Sequence, residues 1–419
     1  MSTGETKPVI RPTQDADRYV ELDVLRGFAL LGILIMNIQS FSMIDAAYLN
    51  PTAYGDLTGA NLLIWVLSHV LADTKFMTLF SVMFGASVLL FTDRIEARGR
   101  RPLKRYYLRI FWLIMFGMLH AYGLWHGDIL VTYGLCALVV VFFRKARPGV
   151  LLTVGLVVIS VASVLYAFSQ WSIPHWTEAD MLEVLKAWAP SQEEMETMEA
   201  AYRGGWLAQM SQRVPAAFQM QGFYFIFYSA WRAGGLMLVG MALYKWGVLT
   251  GQRSERYYVG CLLAGLLAGI PLVSLGVYRN FAAEWALEYS FFAGTQFNFW
   301  GSLLVSLGYI GLVMLACRRR WGSRLLNLLA EVGRTALSNY ILQTLICTVL
   351  FYGHGVGLFG RVSRLGQFGI VLLVWGVQIL LTHFWLQRFR FGPLEWVWRS
   401  LTYWKRQPMR ADGQETDAG

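Results

Sequence analysis

Charge is what this chain has least of: only 15% of its 419 residues are Asp, Glu, Lys or Arg, where ordinary soluble domains carry ~25%. Cysteine is scarce as well. Cys136, Cys261, Cys317 and Cys347 all fall in or at the ends of apolar runs, with no CxxC spacing, so neither a disulfide framework nor a metal is expected. The first 25 residues are polar and mixed in charge, unlike a cleavable leader. The first apolar run is therefore expected to stay as an anchor. P-loops, dinucleotide fingerprints, repeat periods and paired Gly/Pro-broken segments are missing too. What is present is apolar bulk, with 56% hydrophobic residues including 26 Phe, 20 Tyr and 17 Trp. That excludes a disordered protein, a coiled coil and a small disulfide scaffold.

Continuous apolar runs without period-2 alternation predict helices rather than a membrane barrel. A spanning helix needs ~20 mostly apolar residues. Ten segments qualify, at about 26–44, 62–91, 106–124, 129–143, 150–170, 221–244, 257–277, 297–317, 336–352 and 368–387. The second is long enough to be tilted or broken near Asp73, and the fourth is short enough to be re-entrant. The expected fold is thus all-α, a polytopic bundle of about ten spans. Tails at 1–20 and 403–419 would flank membrane domains at 21–170 and 221–402, with an external insertion at 171–220 that has helical pieces near 178–203.

Net charge of +10 could signal nucleic acid, but the position of the cations argues otherwise. With the N-terminus inside, 24 of the 36 Lys and Arg fall in cytoplasmic loops and the C-terminal tail, and Lys7, Arg11 and Arg18 in the N-terminal tail. External loops hold six, and the 171–220 segment is net acidic. This is the positive-inside pattern of a multi-pass inner-membrane protein with both termini in the cytoplasm. Nucleic acid is not expected as a partner; the bilayer is.

Three cations remain, Arg26, Lys75 and Arg232, at the edge of spans or inside them. Charge at membrane depth costs ~2.5 to above 10 kcal/mol, so such a residue usually faces a polar interior and a partner. Arg26 can also snorkel to the interface. Asp23 and Arg26 are i, i+3 and can pair. Asn37 follows Arg26 by eleven residues, close to three helical turns, on nearly the same side; it reads either as a site residue or as an interhelical hydrogen bond. His69 and Asp73 are i, i+4, whereas Lys75 lies about 160° from Asp73 on a regular helix. Lys75 therefore needs a different partner or a break in the helix. An ion-pair network without further role is the other reading of Asp73 and Lys75.

The hairpin after the third span puts His120, His126 and Asp128 within nine residues. A histidine held by a carboxylate suits general-base work near neutral pH, although a packing histidine is the plainer alternative. Two His and one Asp are a weak metal set. Asn298, Asn339 and Gln343 add polar groups to later spans, and His383 stands alone.

Several stretches resemble the bacterial YeiB family: Leu22-Asp23-Val24-Leu25-Arg26-Gly27 through Asn37, Ala46 to Pro51, Lys75-Phe76 and Gly127-Asp128-Ile129-Leu130. Gly333 to Tyr340, Leu342 to Cys347 and Gly392-Pro393-Leu394-Glu395-Trp396 resemble that family's C-terminal domain. The likeness runs from about residue 20 to about 402. The family is in turn similar to transmembrane acyltransferases that include heparan-α-glucosaminide N-acetyltransferase, which passes acetyl groups from cytosolic acetyl-CoA to a sugar across the membrane. The resemblance maps the D-x-x-R-G-x-A pattern and following Asn of that enzyme onto Asp23, Arg26, Gly27, Ala29 and Asn37. It implies Asn37 at the acyl-transfer centre. The enzyme's catalytic His follows its Asn, and Ile38 to Leu49 contains none, so His120 would supply the base or the chemistry would differ.

The leading expectation is an acyltransferase moving an acyl group, acetyl above all, from cytoplasmic acyl-CoA to an envelope glycan or lipid outside. Arg101, Lys104 and Arg105, within the 94–109 cluster, would meet the CoA phosphates; setting topology alone is their other reading. A polar channel would be lined by Asn37, Lys75 and Arg232, with Asp73, Asp23 and Arg26 as ion-pair partners. His120, oriented by Asp128, would be the base, and Asn37 or Lys75 would hold the oxyanion. The alternatives are a solute transporter or proton-coupled permease using Asp73, Lys75 and His120, and a regulatory protein docking partners on its acidic external segment. A homo-oligomer is compatible with either.

Overall fold

The structure, a computed structural model, describes residues 18–410. Lys7, Arg11 and the rest of 1–17, and 411–419 of the C-terminal tail, lie outside the described residues. Helices follow one another along the chain: α1 Val20–Ser42, α2 Ala46–Leu49, α3 Gly59–Leu71, α4 Lys75–Glu96, α5 Leu103–Gly123, α6 Leu130–Val140, α7 Pro148–Ser172, α8 Glu178–Trp188, α9 Gln192–Arg203 and α10 Met210–Gln221. The second half continues with α11 Ala230–Lys245, α12 Glu255–Ala264, α13 Ile270–Ala282, α14 Leu287–Ser290, α15 Thr295–Arg319, α16 Ser323–Arg334, α17 Ala336–Phe351, α18 Arg364–Leu386 and α19 Pro393–Tyr403. Among the described residues there is no strand beyond an isolated bridge between Phe389 and Arg410.

Each of the ten apolar runs becomes helix, but among the described residues seven helical stretches are long and apolar enough to cross a membrane: Val20–Ser42, Gly59–Glu96, Pro148–His175, Met210–Lys245, Glu255–Ala282, Leu287–Arg319 and Arg364–Leu386. Of the other three, Leu130–Phe143 and Ala336–Phe351 are apolar but short. The third, α5, is diluted by Arg109, His120 and three tyrosines. Short apolar helices can be stable where neighbours cover them, and Tyr133, Cys136 and Ala137 of α6 sit in the core between α4, α5 and α11.

The bundle is arranged as a bilayer requires. Stretches Pro148–His175 and Arg364–Leu386 are only 22% and 28% buried over their apolar windows, against 67% for α1. Leu156, Val157, Val164 and Phe168 on α7, and Leu372, Leu373, Leu380 and Phe384 on α18, face outward. Polar side chains are instead buried within, the inverse of a water-soluble protein. This is a membrane protein.

Two backbone features position the site. First, α1 crosses α16 where Gly27 and Gly333 meet, each so close to the facing backbone that a Cβ would overlap a carbonyl of the partner helix. That crossing explains why both resembling stretches contain a glycine there. Second, the long 59–96 run is broken: Thr74 takes φ +61°, a left-handed conformation unfavourable for a β-branched residue. Lys75 Nζ donates to the freed His69 carbonyl at 2.7 Å. Segment 171–220 folds as α8, α9 and most of α10 and caps one end of the bundle. Trp188 packs on Trp285, Tyr202 on Phe359, and Arg213 and Trp206 both donate to the Gly123 carbonyl at the end of α5.

Candidate functional site

His120, in the last turn of α5, is 1% exposed, and both of its ring nitrogens are engaged. Nδ1 stands 2.8 Å from Asp128 Oδ2, and Nε2 stands 2.9 Å from Thr344 Oγ1 on α17. The other carboxylate oxygen of Asp128 accepts the Val131 amide at 2.8 Å, closing the first turn of α6 as an N-terminal cap does. One carboxylate thus starts a helix and holds an imidazole. A carboxylate can only accept, so with neutral imidazole the proton sits on Nδ1 and Nε2 accepts from the threonine. The approach of α5 to α6 depends on Gly117, where a Cβ would lie 2.7 Å from Val131 N and 2.9 Å from Asp128 Oδ1. Gly117→Ala is expected to push Asp128 off His120 and to destabilise the fold by ~1–3 kcal/mol through overpacking. Thermal unfolding in detergent measures this, and an unchanged midpoint would refute it.

A cavity of about 310 Å³ runs beside this constellation. Its mouth lies where α1 and α5 begin and α4 ends, and carries Arg18, Arg26, Arg94, Arg98, Arg109, Arg334 and Arg399 against Asp23 and Glu395. Arg109 stacks on Trp398, 3.6 Å from the ring centroid. Burial, and then the nearby charges of Arg18 and Arg94, lower the Arg399 guanidinium to about 10. Inward the walls turn apolar, with Leu30, Ile33, Phe80, Phe84, Leu113 and Leu130, and the far end is reached at Ile129, Tyr133 and Tyr340. Tyr340 separates the cavity from His120, its ring centroid 5.0 Å from the imidazole. Along α5, Arg109 at the mouth and His120 are eleven residues apart, about 16 Å of helix.

The second polar cluster lies elsewhere, between α4, α11 and α15. Asn298 bridges it: its Oδ1 accepts from Lys75 Nζ at 2.5 Å, and its Nδ2 donates to Asp73 Oδ2 at 2.7 Å. Asp73 also accepts from Tyr48 Oη at 2.6 Å and faces His69 Nδ1 at 3.3 Å. Arg232, fully buried, donates to the Phe299 carbonyl, Ser302 Oγ and Thr78 Oγ1. No hydrogen bond of this cluster reaches His120, Asp128 or Thr344. Lys75 and Arg232, expected to line one channel with Asn37, thus make their hydrogen bonds in a cluster of their own. The break at Thr74 turns Lys75 toward α15 and away from α5.

The remaining expected residues fall as follows. Asp23 pairs with Arg26 at 2.8 Å and with Arg18 at 3.3 Å, at the cavity mouth. Asn37 is partly exposed and makes no hydrogen bond to the His120 constellation. Arg101 and Lys104 are exposed, Arg105 leans on the Tyr403 ring, and none of the three lines the cavity. Leu103 and Lys104 at the start of α5 face outward, whereas Arg94 and Arg109 of the same cluster line the cavity and Arg98 lines its exposed rim. His126 pairs with Asp45 at 3.2 Å, and His383 is held by Glu331 at 2.9 Å rather than standing alone. Sequence reasoning missed Thr344, Tyr48, Tyr340 and Arg399 as site members. Thr344 lies 224 residues from His120, and only its place in the Leu342 to Cys347 stretch drew notice to it.

These features define an all-α membrane protein with a cation-rimmed cavity that ends at a tyrosine packed on a buried His–Asp pair. The chain belongs to the YeiB family. It is 34% identical over 405 residues to the protein described as "Uncharacterized protein YeiB" of Escherichia coli (strain K12), covering 92% of this chain and 96% of that one. It is 30% identical over 417 residues to "Uncharacterized protein YxaH" of Bacillus subtilis (strain 168), covering 96% and 98%. Residues 243–405 match the family described as "Protein of unknown function (DUF418)". Thr344, Tyr340 and Arg399 lie inside that match, and His120 and Asp128 lie before it.

Proposed function

We propose that this protein is an inner-membrane acyltransferase, with both termini cytoplasmic, taking an acyl group from cytoplasmic acyl-CoA and delivering it to an envelope glycan or lipid outside. The observation that carries this reading is the cavity. Seven arginines and two carboxylates at one mouth suit a polyanionic head. The apolar shaft suits an extended thioester arm, and its inner end stops at the tyrosine packed on His120. His120, held by Asp128, is placed to act as a base on the reacting hydroxyl or amine. The mouth and the cation-rich loops share one side, the side the positive-inside rule assigns to the cytoplasm.

Transport has one observation in its favour, the broken α3–α4 run with Asp73 and Lys75 at the break, since interrupted helices mark many solute sites. The cavity, however, opens at the arginine mouth and ends away from that break. Calorimetry of purified protein with acetyl-CoA, together with transfer of labelled acetyl groups in a membrane extract, tests the proposal. Arg399→Glu is expected to weaken acetyl-CoA binding ~10- to 100-fold, the worth of one or two charge-assisted hydrogen bonds. Absence of both binding and transfer would overturn the acyltransferase reading.

A further inference from the structure

We infer that Thr344 is a nucleophile that carries the acyl group covalently between donor and acceptor, an inference that rests on the acyl-transfer reading. The first support is the pattern of hydroxyl bonding along the helices. Ser42, Thr78, Ser81, Ser87 and Thr92 each donate back to a carbonyl four residues earlier on their own helix. That is the default for a hydroxyl in a helix interior. Ser306 and Thr382 reach other helices, and so does Thr344, which differs in meeting an imidazole that a carboxylate holds from its other side. The second support is the continuity of the set: Asp128 Oδ2, His120 Nδ1, His120 Nε2 and Thr344 Oγ1 form one chain of contacts at 2.8 and 2.9 Å. Hydroxyl, imidazole and carboxylate in that order are the arrangement that activates a weak nucleophile. Third, Thr344 lies one turn beyond Tyr340 on α17, and Tyr340 lines the inner end of the cavity. All three groups of the set are themselves buried, so a shift of the Tyr340 ring is what opens them to the shaft.

The two half-reactions balance without any redox partner. In the first, the Thr344 hydroxyl proton passes to His120 Nε2 while Oγ1 bonds to the thioester carbonyl carbon. The carbon–sulfur bond then breaks and the proton goes to the CoA sulfur. In the second, His120 takes the proton of the acceptor hydroxyl or amine, whose oxygen or nitrogen attacks the threonine ester. The ester bond to Oγ1 breaks and the proton returns to it.

The test uses the full chain in lipid nanodiscs as wild type, T344S, T344V and H120A. Each is given either radiolabelled acetyl-CoA or p-nitrophenyl acetate, an activated ester that needs no CoA site, without acceptor. The label is located by peptide mass spectrometry. Acetyl on Thr344 of the wild type is expected, kept in T344S and reduced at least ~100-fold in T344V and H120A. Label at Thr344 from p-nitrophenyl acetate alone would support the nucleophile and sink the acyl-CoA reading. In a second arm, where a membrane extract supplies acceptor, transfer from acetyl-CoA that is undiminished in T344V would overturn the nucleophile and leave that reading standing. No label at Thr344 from either donor would also overturn it.

Discussion

Acyl transfer by H120A protein is expected to fall ~10²- to 10⁴-fold, the range for loss of a positioned acid–base group, with the affinity for acetyl-CoA unchanged. The two effects separate because the arginine mouth and the imidazole sit about 16 Å apart along α5. Nothing at Arg18, Arg109 or Arg399 bonds His120, whose ring nitrogens meet Asp128 and Thr344. Calorimetry and initial rates on the same preparation measure the split. An equal loss of binding and rate would mean that the substitution collapsed the cavity, and an unchanged rate would remove His120 from the chemistry. Asp128→Asn should approach the same loss, because an amide can present its NH₂ to Nδ1 and reverse the tautomer.

The largest stability effect is expected at the second cluster. Asp73→Ala removes the carboxylate that accepts from Tyr48 and Asn298, and leaves the Lys75 ammonium buried beside Arg232 without it. Asp73 and Lys75 are joined through the Asn298 amide rather than in direct contact, and a buried charge that loses its opposite charge stays desolvated, at a cost of ~3–5 kcal/mol. Asp73→Asn combined with Lys75→Met should recover most of the loss, since together they remove both charges while the amide keeps its hydrogen bonds. Thermal unfolding in one detergent for single and double variants gives the comparison. A double variant no more stable than Asp73→Ala alone would show that charge pairing is not what Asp73 supplies.

Parts of the site that are close along the chain could be read from residue spacing. Asp23 with Arg26, His69 with Asp73 and His120 with Asp128 all sit within nine residues of each other, where helix and hairpin geometry decide contact. The helices were legible for the same kind of reason, because apolar runs of membrane length must satisfy their backbone internally. The number of crossings was less so. Whether α6 and α17 count depends on the neighbours that cover them, which is a matter of packing. Segment 62–91 illustrates the limit: its length suggested a break near Asp73, but the direction Lys75 takes after the break follows from Asn298 and the His69 carbonyl.

Composition, weighed against the cost of charge in hydrocarbon, is enough to show a helical membrane protein and to mark which cations need a polar interior. Residue spacing also named the His120–Asp128 pair. Helix packing brings that pair to Thr344, sets Lys75 and Arg232 in a different cluster, and gathers arginines of α1, α4, α5, α16 and α19 at one mouth. Those contacts join residues up to hundreds of positions apart. They depend on how helices cross, as at Gly27 and Gly333, and no local periodicity encodes which faces meet.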